Sequence, residues 1–185
     1  MEIYLATRNE GKLMAARSVF DRYGIKIKSV EKKYPEIQAD SSSEVARYTA
    51  LQAVKDLNSP VIREDHALFI NALGIPGPYM NYFEKRVSAE TILKIIGNFN
   101  DRAGYFEVAT VYAEPGGLTK EYVFRVPFTF AQEERGRFQT GWNGIIMLQG
   151  EKRTLAEYPE GERTEIWNRN YLAIAEYIRN SGSST

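Results

Sequence analysis

Short apolar runs alternate with longer stretches of helical spacing along the first third of the chain. Ile3-Tyr4-Leu5-Ala6 is apolar and followed at once by polar residues, which predicts a buried strand. Leu13, Ala16, Phe20 and Tyr23 then share one helical face, and Gly24 supplies a stop. Strand, polar turn and helix make an α/β opening, and Ile25 to Val30 predicts a second strand. Ser41 and Glu44 have the spacing of a capping box, ahead of a small-residue stripe at Ala46, Ala50, Ala53 and Leu57. Small residues there predict close packing against a sheet. Pro60 ends that helix, Val61-Ile62 resumes as a strand, and Leu68-Phe69-Ile70 reads as a separate short one. Gly74 to Pro78 predicts an irregular loop, and Ser88 to Ile96 a short helix.

The middle of the chain changes period. Tyr105 to Ala113 is strand-like, Pro115-Gly116-Gly117 signals a hairpin, and Tyr122, Phe124, Val126, Phe128 and Phe130 alternate. These are long antiparallel strands by expectation. Trp167, Tyr171, Ile174 and Ile178 then repeat at i, i+4, i+7 and i+11, predicting a closing amphipathic helix opened by Arg163 and Arg169. The polar residues 181–185 predict a flexible tail, and the length of 1–180 suits one large domain or two intimately joined lobes.

Composition narrows the chemistry. The 185 residues contain no cysteine and one histidine, which excludes thiol nucleophiles, disulfides, Cys-ligated metals and multi-His metal centres. A metal would have to sit on carboxylates, favouring Mg²⁺ or Mn²⁺. Twenty-four basic residues balance twenty-four acidic ones, so no bulk charge draws nucleic acid or an acidic membrane. The aromatic alternation has no basic run beside it, and no stable nucleic-acid binding is expected. No stretch is long and apolar enough to span a bilayer, and the start lacks signal-peptide features, so the expected location is cytoplasmic.

Several groups of residues are candidates for chemistry. Thr7-Arg8-Asn9-Glu10-Gly11-Lys12 lies between the first strand and helix, where backbone N–H groups, the helix dipole and the Lys12 ammonium favour an anion. The same residues also describe an ordinary capped helix with a solvated lysine, and the Walker A pattern is absent. Glu36, in a Pro-restricted loop, and Glu64-Asp65, expected at the end of a strand, form a carboxylate set or else three surface acids. Adjacent residues of an extended chain face opposite ways, so one metal ligand plus one base is easier for Glu64-Asp65 than two ligands. His66 lacks a nucleophile-elbow serine and reads as a loop or supporting histidine. Arg163 and Arg169, at a positive helix end, suggest an anion or carboxylate partner, with surface solvation the alternative. Trp142, in Gly141-Trp142-Asn143-Gly144, is placed to stack on a base.

The ordered set Thr7-x-Asn9-x-x-Lys12, Tyr34-Pro35-Glu36-Ile37-Gln38, Glu64-Asp65, Leu68 to Leu73 and Pro76-Gly77-Pro78-Tyr79 resembles the inosine triphosphate pyrophosphatase (HAM1-like) family. Gly141-Trp142 stands at its G-F-G-Y-D-P, Thr154-Leu155-Ala156-Glu157-Tyr158-Pro159 at its T-[FY]-A-E-M, and Arg169 at the end of its S-H-R. The resemblance covers residues 2 to about 178. It implies an α/β fold with a long, bent mixed β-sheet and flanking helices forming two lobes around a central cleft, usually as a homodimer. It also implies Mg²⁺-dependent hydrolysis of ITP, dITP or XTP to monophosphate and pyrophosphate. By position, Thr7, Asn9 and Lys12 would hold the triphosphate, Glu36 and Glu64 would bind Mg²⁺, and Asp65 would activate water or complete the metal site. Arg163 stands at a family lysine near the phosphates or base.

The chain departs from the family where the base is read. The aspartate of Y-D-P is Ile145, S-H-R is Trp167-Asn168-Arg169, and the D-S-G after the first acid is Asp65-His66-Ala67. Loss of polar groups that read a 6-oxo purine implies altered base specificity, with Asn168 a candidate reader of an adenine-like edge. Trp167 is a candidate filler of that pocket. A catalytically degenerate nucleotide-binding protein on the same fold is the alternative.

Overall fold

A computed structural model describes residues 1–30, 32–137, 140–159, 162 and 165–182. The chain divides into two compact units. Strands β1 (Glu2–Leu5), β2 (Lys26–Ser29), β3 (Val61–Ile70), β4 (Pro76–Gly77), β5 (Ala103–Ala113), β6 (Thr119–Phe130) and β7 (Ile146–Leu148) form a mixed sheet. Its order is β2-β1-β3-β5-β6-β7, with β4 also on β3. β1 runs parallel to β2 and to β3, whereas β4 is antiparallel to β3 and β7 to β6. The fold is mixed α/β, as the sequence pattern implies.

The first unit comprises Met1–Asp65, Val108–Phe124 and Thr164–Thr185. Its helices include α1 (Glu10–Phe20), α2 (Ser42–Leu57) and, numbered last in the chain, α5 (Arg169–Gly182). Strand alternation sorts its core into two layers. Ile3, Leu5, Ile62 and Tyr112 pack with Leu13, Ala16 and Phe20 of α1 and with Tyr171, Ile174 and Ile178 of α5. The intervening residues Ala6, Val61, Ala109 and Val111 pack with Ala46, Ala50 and Ala53 of α2. Alanine at those three positions admits close approach, and a larger side chain would cost about 1–3 kcal/mol in overpacking. Burying each Ile, Leu or Phe contributes roughly 1.5–3 kcal/mol.

Local chemistry sets the helix ends. Asn9 caps α1, its Oδ1 accepting from Lys12 N–H at 3.2 Å. Ser41 and Glu44 form the expected capping box of α2, each side chain accepting the other's backbone N–H. Gly24 adopts φ +67°, a left-handed stop that follows a 3₁₀ turn over Asp21–Tyr23. α5 begins at Arg169, so Trp167 precedes the helix instead of lying on its stripe. Its first turn is tied down by the buried Asn170, whose Nδ2 lies 3.0 Å from the Val108 carbonyl, 3.1 Å from Thr110 Oγ1 and 3.0 Å from the Tyr122 carbonyl. The helix runs on through Ser181 and Gly182, and 183–185 lie outside the described residues. β5 and β6 are neighbours joined through a turn in which Glu114 N–H donates to the Leu118 carbonyl at 2.9 Å, the expected hairpin.

The second unit comprises His66–Glu107 and Arg125–Arg163. It holds α3 (Met80–Glu84), which the sequence pattern did not signal, and α4 (Ala89–Ile96), capped by Ser88. β4 falls within the expected irregular loop and pairs Leu68↔Gly77. Phe106, Phe128 and Phe130 pack ring to ring, with centroids 5.1–5.2 Å apart.

One difference from the sequence reading bears directly on chemistry. Val61–Ile70 is one ten-residue strand, not two short ones, so Glu64 and Asp65 lie within a strand instead of at its end. Arg63, Glu64 and Asp65 stay extended because the alternation of faces continues through polar side chains as readily as through apolar ones.

Candidate active site

The Thr7–Lys12 turn follows β1 and opens α1 within the first unit. Thr7 is buried and its Oγ1 accepts from Asn9 N–H at 3.1 Å. Asn9 in turn binds Lys12 N–H, and its own carbonyl accepts from Leu13 N–H at 3.1 Å. Glu10 and Gly11, the first two helical positions, have no carbonyl within α1 to which their N–H groups could donate. Glu10 also puts a carboxylate in that first turn, so an incoming anion shares the helix end with an acid. Lys12 reaches across to β3, its Nζ donating to the Glu64 carbonyl at 3.1 Å and lying 3.6 Å from Glu64 Oε1.

The three acids divide between two settings. Glu64 is 2% exposed, on the layer covered by α1 and α5. Burial, with the adjoining Glu64 carboxylate, pushes the Tyr171 phenol well above its ordinary range, so that hydroxyl stays protonated. Asp65 leaves the other side of β3 with Arg63. The Arg63 guanidinium donates through Nη1 to the Ala6 carbonyl at 2.8 Å, and its Nη2 lies 3.5 Å from Asp65 Oδ1 and 3.4 Å from Glu36 Oε1. Glu36 is not turned inward, since its side chain is 69% exposed.

This arrangement does not fit a metal cage built from all three carboxylates. Alternation sends Glu64 and Asp65 to opposite faces, and each acid already faces an internal cation. No three His, Asp or Glu side chains among the described residues are grouped to hold one ion. As placed here, Glu36 and Asp65 share Arg63 while Glu64 faces Lys12, so the three acids stand in two settings. What the first unit does hold is a capped helix start with an ammonium paired to Glu64, and a partly enclosed aspartate on the other side of the same strand.

The model of the Ham1 family matches residues 3–176. The chain belongs to the Ham1 family. A dITP/XTP pyrophosphatase of Methanopyrus kandleri is 36% identical over 184 residues, covering 98% of each chain. One from Thermococcus kodakarensis is 33% identical, covering 96% of this chain and 95% of its own. The Ham1 protein of Staphylococcus aureus superposes with a TM-score of 0.83 at 22% identity, over 98% of this chain and 100% of that one. A nucleoside-triphosphatase, dITP/XTP pyrophosphatase, of Mycobacterium abscessus gives 0.74 at 23%, over 94% and 98%. Both structures share the fold.

Against the Ham1 pattern, the remaining sites fare unequally. Trp142 does not offer a face to a base: it is fully buried in the second unit, and its indole N–H donates to the Val87 carbonyl at 2.8 Å. The Gly141 that precedes it adopts φ +59°, and a Cβ there would lie 2.8 Å from the Glu84 carboxylate carbon. Glu84 accepts from Trp142 backbone N–H at 3.5 Å, and burial pushes its carboxyl up, with that N–H pulling the other way. Ile145, at the position of the family's aspartate, is also fully buried. The Thr154-to-Glu157 motif has a local explanation, because Thr154 N–H donates to Glu157 Oε2 at 2.7 Å and the pair caps a 3₁₀ turn. His66 is the first residue of the second unit and lies within β3, not in a loop.

In the first unit, Asn168 Oδ1 is buried and accepts no hydrogen bond from the described residues. Arg169 is exposed and lies over the Phe124 ring, 5.6 Å from its centroid. Arg163 lies outside the described residues. Sequence reasoning missed Arg63, Tyr171 and Glu84. Arg63 had a signal, a lone charge in Val61-Ile62-Arg63 two residues from an acid. Tyr171 and Glu84 had none, since a phenol on an apolar stripe and an acid on a short helix are both ordinary.

Proposed function

We propose that this chain is a nucleoside triphosphate pyrophosphatase, hydrolysing the α–β phosphoanhydride of non-standard purine nucleotides such as dITP and XTP. The observation that carries the reading is the junction of β1, α1 and β3, where Lys12 and the Thr7–Asn9 turn sit within the same unit as Asp65. The whole-length match to relatives named dITP/XTP pyrophosphatase supports it.

Each residue then has a role. Lys12 and the free N–H groups of the α1 start hold phosphate oxygens, with Thr7 and Asn9 fixing the turn that aims them. Asp65 orients water and accepts its proton during in-line attack on the α-phosphorus. Glu64 keeps Lys12 in place from the dry side of β3. Arg169 and the acceptor Oδ1 of Asn168 lie toward the nucleoside. A Mg²⁺ or Mn²⁺ ion would neutralise phosphate charge, and one or two carboxylates such as Asp65 and Glu36 would hold it beside the nucleotide's own oxygens. Base selection is relaxed relative to the family, because Ile145 and Trp167 replace polar readers and a pocket without them discriminates less. A cytoplasmic homodimer is part of the proposal; among the described residues no helix is long and apolar enough to cross a membrane.

Pyrophosphate release measured across dITP, ITP, XTP and the four standard nucleoside triphosphates, with Mg²⁺ and with Mn²⁺, tests the reading. Release with a preference spread over several bases is expected. Nucleotide binding without release from any of them would replace the hydrolase with a degenerate binding protein.

A further inference from the structure

Arg63 and Asp65 are two residues apart on β3 and so leave the same face of the strand. The Arg63 side chain is 15% exposed and spans a carbonyl and two carboxylates. Its bond to the Ala6 carbonyl anchors the planar fork at the residue immediately before the Thr7–Lys12 turn. Its other end then sits between Asp65 and the far more exposed Glu36. A divalent ion bound to either acid would lie about 2.0–2.6 Å from a carboxylate oxygen, close to a positive charge already facing that group.

We propose that Arg63 is a positioning residue that acts as an internal cation for Glu36 and Asp65, drawing the two carboxylates together and competing with a free divalent ion for them. The inference rests on Asp65 as the acid beside the reacting phosphate. It explains why the acids do not form a cage, and it makes this chain's affinity for a bare ion low. The ion enters with a triphosphate, whose oxygens supply most of its ligands and whose charge offsets the guanidinium.

The test is Mn²⁺ binding without nucleotide, followed by the electron paramagnetic resonance signal of the free ion, in the unaltered protein, Arg63→Gln and Arg63→Lys. Arg63→Gln should bind Mn²⁺ roughly tenfold more tightly, and Arg63→Lys, which keeps the charge, within about twofold of the unaltered protein. Equal or weaker binding in Arg63→Gln overturns the proposal. So does a raised KM for nucleotide in that variant with Mn²⁺ affinity unchanged, which would make Arg63 a phosphate contact. Should Arg63→Gln fail to fold in a thermal melt, the arginine side-chain NMR signal missing from Arg63→Lys must shift in the ¹⁵N-labelled unaltered protein when Mg²⁺ is added. A signal that stays put while Mg²⁺ binds overturns the proposal equally. Pyrophosphate release by the unaltered protein separates the two claims: its absence removes the hydrolase reading while leaving the Mn²⁺ comparison intact.

Discussion

Glu64 and Asp65 are adjacent in the chain but occupy two different environments on β3. Glu64 lies in the dry layer under α1 and α5, held by the Lys12 ammonium and bordered by a protonated Tyr171. Asp65, with 14% of its side chain exposed, lies on the other layer beside a guanidinium shared with a surface glutamate. A strand therefore separates two acids that a linear motif presents as a unit. The enclosed one holds the Lys12 ammonium in place, and the partly wet one is, in the proposed reaction, the acid that meets water.

The largest effect is expected of Asp65→Asn. It should lower turnover about 10²–10⁴-fold while nucleotide affinity changes little, read as kcat against Kd. Comparable kcat in the variant would remove Asp65 from the chemistry. Next in size is Lys12→Met, which leaves the Glu64 carboxylate buried without its ammonium. Loss of one partner of an enclosed pair should cost about 3 kcal/mol in urea unfolding, together with weaker nucleotide binding. Glu36→Gln probes the wet face: its pair with Arg63 is mostly solvated, so stability should move by less than about 1 kcal/mol.

The smallest effect is expected in the second unit, at Glu84. Its carboxyl is raised in the folded protein, mainly by burial, so the acid favours folding only while protonated. That contribution is full below the ordinary glutamate range and is lost as pH rises through the raised value. Glu84→Gln should therefore melt slightly higher than the unaltered protein at neutral pH, with the difference vanishing on acidification to about pH 4. A variant that melts lower at neutral pH would show that the bond from Trp142 outweighs the buried charge.

Much of the architecture was legible because its signals are local. The capping box at Ser41 and Glu44, the Gly24 stop and the stripe Ala46-Ala50-Ala53 each depend on residues within a few positions, and all three appear as expected. The strand over Val61–Ile70 was legible only at its apolar ends, because Arg63-Glu64-Asp65 carries no hydrophobic period by which a strand is recognised. Trp142 misled for a similar reason. An aromatic between glycines looks the same in sequence whether its ring faces solvent or fills a core, and only the Val87 carbonyl beyond the indole decided it.

What the amino-acid order determined by itself was the family, the α/β period and the capped turn that carries Lys12, since these follow from spacing along a single chain. Only the folded molecule decided that Lys12 partners Glu64 across a gap of 52 residues and that Arg63 stands between Glu36 and Asp65. Electrostatic pairing depends on distance and burial in three dimensions, and a strand turns neighbours in sequence away from each other while bringing distant residues within reach.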